Sequence, residues 1–505
     1  MNPLYIVLPV AFQLFTAVVL LFFWNKTNLQ RGLSVAASIT ALALAAWLMA
    51  AVLQDGILVM QAGAWEAQFG ISFVADAFSS TMVLLTSLAG LAVSIFSTSG
   101  IRSARVQLGF YPVFHLLLMG LNGAFLTGDI FNLYVWFEII IIASFVLITL
   151  GGAKDQLEGS VKYVTMNLLA SAIFLTAIAI LYGLTGSLNM ADLSIQVANI
   201  ENRGLVNITA LLFLVGFGIK SAIFPLYFWL PASYHTPPAT ISAIFGGLLT
   251  KVGVYAMIRV FTLIFIPDEF MLNLLIWIGG LSILSGGAGA LLQNNIRRVF
   301  SYLIICHIGY MIAGLGLYTE VALVGAIFYL IHDIVVKTNL FLISGLIYKI
   351  KGSYNMKLLG GIYSSFPLLA LMFAISFFSL IGIPPLSGFW AKLFLIEGSL
   401  DTGQYMVIAF ITLGSFITLF VMAKMWLEIV WKKEGALPDK QSSTAYLAMP
   451  YAKRFALVFP IVLLSGALLF IGFGAEFILA VAKQIAAELK DPSAYLGAVL
   501  KRGTI

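Results

Sequence analysis

Charge is what this sequence lacks. Only 10% of its 505 residues are Asp, Glu, Lys or Arg, while 61% are hydrophobic. A soluble domain needs a charged surface of roughly a quarter of its residues, so a soluble protein is excluded. The single cysteine, Cys306, lies in an apolar run. That rules out a disulfide framework, an iron–sulfur cluster and a Cys-based zinc site, and leaves a small buried hydrophobe. The four histidines, His115, His235, His307 and His332, show no metal-ligand spacing, so no metal is expected. There is no Gly-rich phosphate loop, nucleophile triad or pair of catalytic carboxylates, so neither a cofactor nor enzyme chemistry is expected. The net charge of +6 is no nucleic-acid signal, because the bases sit in short loops.

What is present is a series of apolar runs of about 20 residues, the length that spans a bilayer core. The pattern predicts an all-α polytopic membrane protein with fourteen spans. They fall near 3–24, 32–54, 73–99, 110–128, 130–150, 163–185, 206–230, 239–263, 271–292, 300–318, 323–348, 366–397, 405–431 and 456–480. Met1–Leu20 lacks a basic leader and a small-residue cleavage site, and reads as a retained first span. Loop charge alternates in step with this count. One set of loops carries Lys26, Arg31, Arg102, Arg105, Lys154, Lys162, Arg297, Arg298, Lys349, Lys351, Lys357, Lys432, Lys433, Lys440, Lys453 and Arg454. The opposite set carries Asp55, Glu66, Asp129, Asp192, Glu201, Asp268, Glu269, Glu320 and Asp401, with Arg203 as its only base. The positive-inside rule makes the first set cytoplasmic and turns both termini outward.

Six bases fall inside the spans: Lys220, Lys251, Arg259, Lys337, Lys392 and Lys424. Glu138 and Asp333 are the acids that share the membrane interior with them, and Asp76 lies near a span's start. A lysine at the bilayer centre costs roughly 2.5–3.5 kcal/mol on insertion scales. It is tolerated when it pairs with an anion or gives up its proton, and the second option is what a proton relay needs. Arg259 and Lys424 lie toward span ends and read as anchors. Lys220, Lys251, Lys337 and Lys392 are mid-span. Lys220 precedes Pro225, and Lys392 follows Pro384-Pro385; each proline breaks a helix and frees carbonyls to face a cavity.

Glu138 and Lys220 are expected to form an ion pair whose opening releases Lys220. Lys251 lies among Gly247 and Gly253, small residues that admit close helix approach. Asp333 and Lys337 are four apart, hence on one helical face, and His332 is placed to bridge two lysines. His115, His235 and His307 read as structural or interfacial. Lys392, with Glu397 and Asp401 beyond it, reads as the exit end. Phe137 and Phe341 adjoin charged positions and read as ordinary packing, with hydrophobic gates the sharper alternative.

An internal repeat accompanies these residues. Tyr163, Tyr182, Gly186 and Ser187 recur at an offset of 166 as Tyr329, Tyr348, Gly352 and Ser353. Pro225-Leu-Tyr-Phe-Trp229 is echoed by Pro385-Leu-Ser-Gly-Phe-Trp390, and Tyr255-Ala-Met-Ile-Arg259 by Phe420-Val-Met-Ala-Lys424. The common order suggests two copies of a five-helix unit, a transporter pattern. The expected organisation is helices 1–3 over 1–109, one unit over 110–263, the second over 264–431, then a cytoplasmic loop, the last helix and a short tail over 432–505.

Trp136-Phe137-Glu138, the segment Lys220…Pro225…Trp229-Leu-Pro231…His235-Thr-Pro-Pro-Ala239, Lys251, His332-Asp333…Lys337 and Pro384-Pro-Leu-Ser-Gly-Phe-Trp-Ala-Lys392 occur together. In combination they resemble the antiporter-like subunits shared by respiratory complex I and Mrp multisubunit cation/proton antiporters, over nearly the whole chain. The resemblance implies two inverted five-helix repeats, broken helices 7 and 12, and a relay running Glu138, Lys220, Lys251, His332 with Lys337, then Lys392. The chain is most similar to the Mrp D-subunit type. A short tail replaces the lateral helix of the largest complex I subunit, and Lys392 stands where one middle complex I subunit type has glutamate. The implied partners are other subunits of a hetero-oligomer in a bacterial plasma membrane, a lipid bilayer, H+ and Na+, with no nucleic acid. The rival implication is a redox-driven proton pump of the complex I type.

Overall fold

The computed structural model of the chain describes residues 3–67, 69–433 and 441–500. Lys440 of the basic loops and Lys501 and Arg502 of the tail lie outside the described residues. After a short turn, α1 (Leu8–Phe22) and α2 (Thr27–Asp55) lead to a two-stranded antiparallel hairpin, β1 (Leu58–Gln61) and β2 (Ser72–Ala75). This hairpin is a departure from the expected all-helical pattern; its strands are too short to register in a hydropathy window. Next come α3 (Ala77–Gly100), α4 (Ser103–Gln107), α5 (Phe110–Leu126), α6 (Ile130–Thr149), α7 (Lys154–Thr185) and α8 (Met190–Ala198). The seventh expected span is divided into α9 (Arg203–Ser221) and α10 (Trp229–Ser233). The eighth is α11 (Ala239–Ile244) and α12 (Thr250–Leu263), joined by a π-helical segment at Phe245–Leu249.

Helices α13 (Glu269–Leu291), α14 (Ile296–Leu317) and α15 (Glu320–Lys351) follow. A short α16 (Ile362–Ser365) precedes the second divided span, α17 (Pro367–Ile381) and α18 (Ser387–Asp401). The chain then forms α19 (Tyr405–Trp426), α20 (Gln441–Leu447) and α21 (Tyr451–Phe473). Twelve helices among the described residues are long and apolar enough to cross a membrane. Two shorter apolar ones, Phe110–Leu126 and Pro367–Ile381, fall within the remaining expected spans. The last expected span, 456–480, needs correction: it ends at Phe473, and an amphipathic α22 (Ala475–Lys490) and α23 (Ser493–Leu500) follow. This tail folds back on the protein. Lys490 Nζ donates to the Tyr318 carbonyl at 3.0 Å, and Gln61 Nε2 to the Val499 carbonyl at 3.2 Å.

Three acids just before span helices have a local role. Asp76, Asp129 and Asp268 accept hydrogen bonds from the backbone N–H groups of Ser79, Asn132 and Met271, capping α3, α6 and α13. A capping carboxylate satisfies an orphan donor and complements the positive helix end. Burial separates core from rim: the apolar window of Ala239–Leu263 is 100% buried, and those of Ile296–Leu317 and Glu320–Lys351 are 94% buried, against 39% for α7. The innermost helices are therefore those bearing Lys251, His307, Asp333 and Lys337.

The 166-residue offset reappears in the backbone. Ile130 N donates to Leu188 O and Ile296 N to Tyr354 O; Met190 N donates to Gly128 O and Met356 N to Asn294 O. Asp129 bridges Asn189 as Asn295 bridges Asn355. Gly186 and Gly352, with φ of 70° and 74°, end α7 and α15, in the left-handed conformation that glycine adopts without strain. The two breaks also correspond: Ala222 (φ 58°) ends α9 and Gly382 (φ 89°) ends α17.

Arg259 pairs with Asp76 at 2.5 Å, tying α12 to the start of α3, and its guanidinium lies 5.4–5.5 Å from the rings of Phe78, Tyr255 and Tyr495. Removing one partner of a buried pair leaves an uncompensated charge. Arg259→Leu is expected to lower thermal stability by about 3–5 kcal/mol, and adding Asp76→Asn to recover part of it. An unchanged melting curve for Arg259→Leu contradicts the anchoring role.

Burial pushes the Asp129 carboxyl up to about 6, against the opposing pull of the Asn132 and Phe131 N–H groups. A carboxyl raised above its unfolded value stabilises the folded state while protonated, below its unfolded pKa, and that stability is lost as pH rises through about 6. Asp129→Asn keeps a capping oxygen and deletes the titration. The variant is expected to lose less stability than the parent between pH of about 4 and about 7, by on the order of 1–3 kcal/mol. Equal pH slopes in thermal melts contradict this.

Candidate functional site

Lys220 is the penultimate residue of α9, two residues before the break at Ala222. The break leaves the Ile219 carbonyl to accept a hydrogen bond from Trp229 Nε1 at 3.0 Å, so the break itself is closed by a side chain. Lys220 Nζ donates to Ser171 Oγ of α7 at 3.2 Å and lies 4.8 Å from the Phe137 ring centroid, within cation–π range. The expected Glu138–Lys220 ion pair is not formed: no Lys220 nitrogen lies within 4.0 Å of a Glu138 oxygen. Consecutive residues of a helix point roughly 100° apart. The turn of α6 that lays Phe137 on the ammonium swings Glu138 aside, half-buried, with its Oε1 lacking a protein partner.

Between Lys220 and α12 lies a cavity of about 20 Å³, lined by Phe137, Tyr163, Asn167, Lys220, Trp229 and Gly253. That is room for one water. The helices can approach here because residue 253 is glycine. A Cβ at that position would collide with Ser221 Oγ and meet the Ser221 amide nitrogen at 3.0 Å.

Lys251 is fully buried. Its Nζ contacts Asp333 Oδ2 at 2.7 Å, an ion contact without the alignment of a hydrogen bond, and donates to the Gly246 carbonyl at 2.8 Å. That carbonyl belongs to the π-helical segment, a geometry that releases backbone groups from the regular ladder and recurs at functional sites. The other carboxylate oxygen of Asp333 meets His307 Nδ1 at 3.1 Å and Lys337 Nζ at 3.9 Å. The expected local pair Asp333–Lys337 is thus the longer contact, and Lys251, arriving from α12, is the shorter one.

His307, expected to be structural or interfacial, shares the Asp333 carboxylate with both lysines. Nothing local in the sequence marks it, because its partner is 26 residues away on the next helix. His332 takes a different position from the one expected. It does not bridge lysines; Nδ1 shares a hydrogen bond with Ser387 Oγ at 2.7 Å, the first residue of α18. Asp333, its neighbour on α15, holds the bridging position.

Lys392 Nζ donates to the Ile381 carbonyl at 2.6 Å, a group freed by the break between α17 and α18, and lies 5.2 Å from the Tyr310 ring centroid. Tyr310 stacks on Tyr329 at 4.9 Å, and each packs edge-on against His307. The two tyrosines thus join the Asp333 cluster to Lys392. A cavity of about 350 Å³ adjoins Lys392, walled by Phe389, Leu393, Phe416 and Leu419. Glu397 and Asp401 are exposed further along α18.

Buried polar atoms without a hydrogen-bond partner on this line include Glu138 Oε1, Lys337 Nζ, His307 Nε2, His332 Nε2 and the Tyr329 hydroxyl. Each such atom costs about 1–3 kcal/mol, so folded proteins hold few of them. The remaining charged and titratable groups sit apart. Lys424 donates to the Leu291 and Gln293 carbonyls, closing α13. His115 is held by Gln13 and Ser34. Arg298 Nε donates to His235 Nε2 in a loop, where burial and the Arg298 and Arg297 charges push that imidazole down to about 4. Phe341 packs edge-on against Phe300. Among the described residues no group of three or more His, Cys, Asp or Glu is placed to hold a metal.

Residues 127–418 match the family described as NADH:quinone oxidoreductase/Mrp antiporter, transmembrane. The chain is 43% identical to the D subunit of the Na(+)/H(+) antiporter of Alkalihalophilus pseudofirmus, covering 99% of this chain and 100% of that protein. It is 40% identical to the corresponding antiporter D subunit of Bacillus subtilis, covering 98% and 99%. Its fold is similar to a chain in the structure of the Mrp complex from Dietzia sp. DQ12-45-1b, with a TM-score of 0.90 and 31% identity over 99% of this chain and 100% of that one. The lysine-rich membrane interior and these likenesses agree, and the chain belongs to the NADH:quinone oxidoreductase/Mrp antiporter transmembrane family.

Proposed function

We propose that this chain is the D-type subunit of a multisubunit Na+/H+ antiporter and moves protons along Glu138, Lys220, Lys251, His332, Lys337 and Lys392, with His307 and Asp333 added to the path. The observation that carries this reading is the single carboxylate of Asp333 facing two ammonium groups and an imidazole, all fully buried. Protonating or deprotonating any member changes how the others are compensated, so a proton arriving at one lysine favours release from the next.

The chain works beside other subunits in a bacterial cell membrane, and it is a secondary-transport component rather than an enzyme. Both termini face outward, by the loop-charge alternation. Segments 110–263 and 264–431 are two inverted copies of one five-helix unit, supported by the backbone bonds repeated at an offset of 166. Helices 1–3 (1–109) and the final helix with its tail (432–505) flank them. The family also contains redox-driven complexes. The antiporter reading is preferred because two relatives matched over their full length are named antiporter subunits and a chain of an Mrp complex shares the fold with a TM-score of 0.90.

In everted vesicles carrying the chain with its partner subunits, a sodium gradient is expected to drive proton movement without NADH or quinone. Lys251→Ala and Lys392→Ala are each expected to lower that movement about tenfold or more while the complex still assembles. Proton movement that needs NADH oxidation, or wild-type rates in both variants, would sink the proposal. His307→Gln is expected to slow transport in the same assay, and His115→Gln to leave it near wild type. Equal rates in the two histidine variants remove His307 from the path.

A further inference from the structure

Away from the lysine line, a cavity of about 590 Å³ opens among the basic loops and gathers four cations from three places in the chain. Arg102 precedes α4 and Arg105 lies within it, Arg297 comes from the start of α14, and Lys349 from the end of α15. Asp155 of α7 is the only acid on its wall among the described residues. None of the four cations has a carboxylate within 4.0 Å, counting the described residues. Loop bases that serve only as topology markers stand apart in solvent. Here they converge, and like charges this close repel.

The cavity is also built to hold them. Arg297 is 8% exposed; its guanidinium lies 3.8 Å from the Tyr354 ring centroid and donates through Nη1 to the Pro237 carbonyl. Tyr354 stacks in turn on Tyr348 at 4.3 Å. Arg297 Nε is buried and has no hydrogen-bond partner. Gly151 (φ 111°) leaves room for Arg105, whose Nε would lie 2.8 Å from a Cβ at that position. Burial and the Arg102 charge both act against the Arg105 guanidinium. Planar guanidinium donors with an ammonium beside them suit a phosphate-type oxyanion, which accepts paired N–H bonds.

We propose that this cavity is an anion site that takes a phosphate group through Arg102, Arg105, Arg297 and Lys349. The group belongs either to an anionic phospholipid headgroup or to free inorganic phosphate. Met449 and Ala445 add an apolar wall beside the cations, and Thr240 and Gly345 place the cavity at the ends of the helices that lead to Lys251 and Lys337. A bound anion cancels the positive potential there, which otherwise repels an arriving proton or Na+.

The test uses the complex purified with its partner subunits, so binding is read without reference to transport. Two probes are applied: phosphatidylglycerol retained after exhaustive exchange into phosphatidylcholine nanodiscs, and radiolabelled inorganic phosphate in equilibrium dialysis against complex in phosphatidylcholine alone. Retained phosphatidylglycerol that falls about tenfold in Arg102→Gln/Arg105→Gln, and is kept by Arg105→Lys, assigns the headgroup. Saturable phosphate binding with the same dependence assigns the free anion. Lys349→Gln gives a second reading if the double variant fails to assemble. Retention of neither probe, or equal retention in parent and variants, overturns the site.

Discussion

The structure depends on one buried carboxylate. Asp333 faces Lys251, Lys337 and His307 at the centre of the most deeply buried helices, and its single negative charge is shared among them. Two ammonium groups and one carboxylate far from bulk water do not balance, and desolvation makes such an imbalance expensive. The protein supplies the remainder with backbone oxygens. The π-helical segment offers the Gly246 carbonyl to Lys251, and the interrupted span offers the Ile381 carbonyl to Lys392. Irregular backbone at membrane depth is tolerated where it lines protein or a cavity, and here it stands next to charge.

Close approach of helices makes this arrangement possible. A Cβ at residue 247 would collide with Thr338 Oγ1 on α15, as one at residue 253 would with Ser221. Glycine at both positions lets the helix bearing Lys251 touch the Lys337 helix on one side and the Lys220 break on the other. The aromatic contacts then extend the line. Phe137 covers Lys220, and the stacked Tyr310 and Tyr329 lie between His307 and Lys392. Ring faces hold the ammonium groups without fixing them to a permanent counter-charge.

Much of this was legible in the sequence, for identifiable reasons. Apolar runs placed the spans, since a bilayer imposes a length on every helix that crosses it. Prolines marked both interruptions, and the mid-span lysines stood out against an apolar background. What escaped was set by tertiary contact. His307 finds its carboxylate on another helix, and Lys251 displaces Lys337 as the nearer partner of Asp333 by arriving from α12. Phe137 rather than Glu138 lies against Lys220 because a helix turns between consecutive residues. The β1–β2 hairpin and the amphipathic tail lie below the resolution of a hydropathy window.

Proton movement along Lys220, Lys251, Lys337 and Lys392 requires water between successive ammonium groups inside the protein. A density map of the assembled complex, resolved well enough to show ordered solvent, tests it most directly. The account predicts water at hydrogen-bond spacing, about 2.7–3.2 Å, on each ammonium nitrogen and in the small cavity between Lys220 and Gly253. Dry side-chain packing against those nitrogens, with no solvent density between successive lysines, would contradict it.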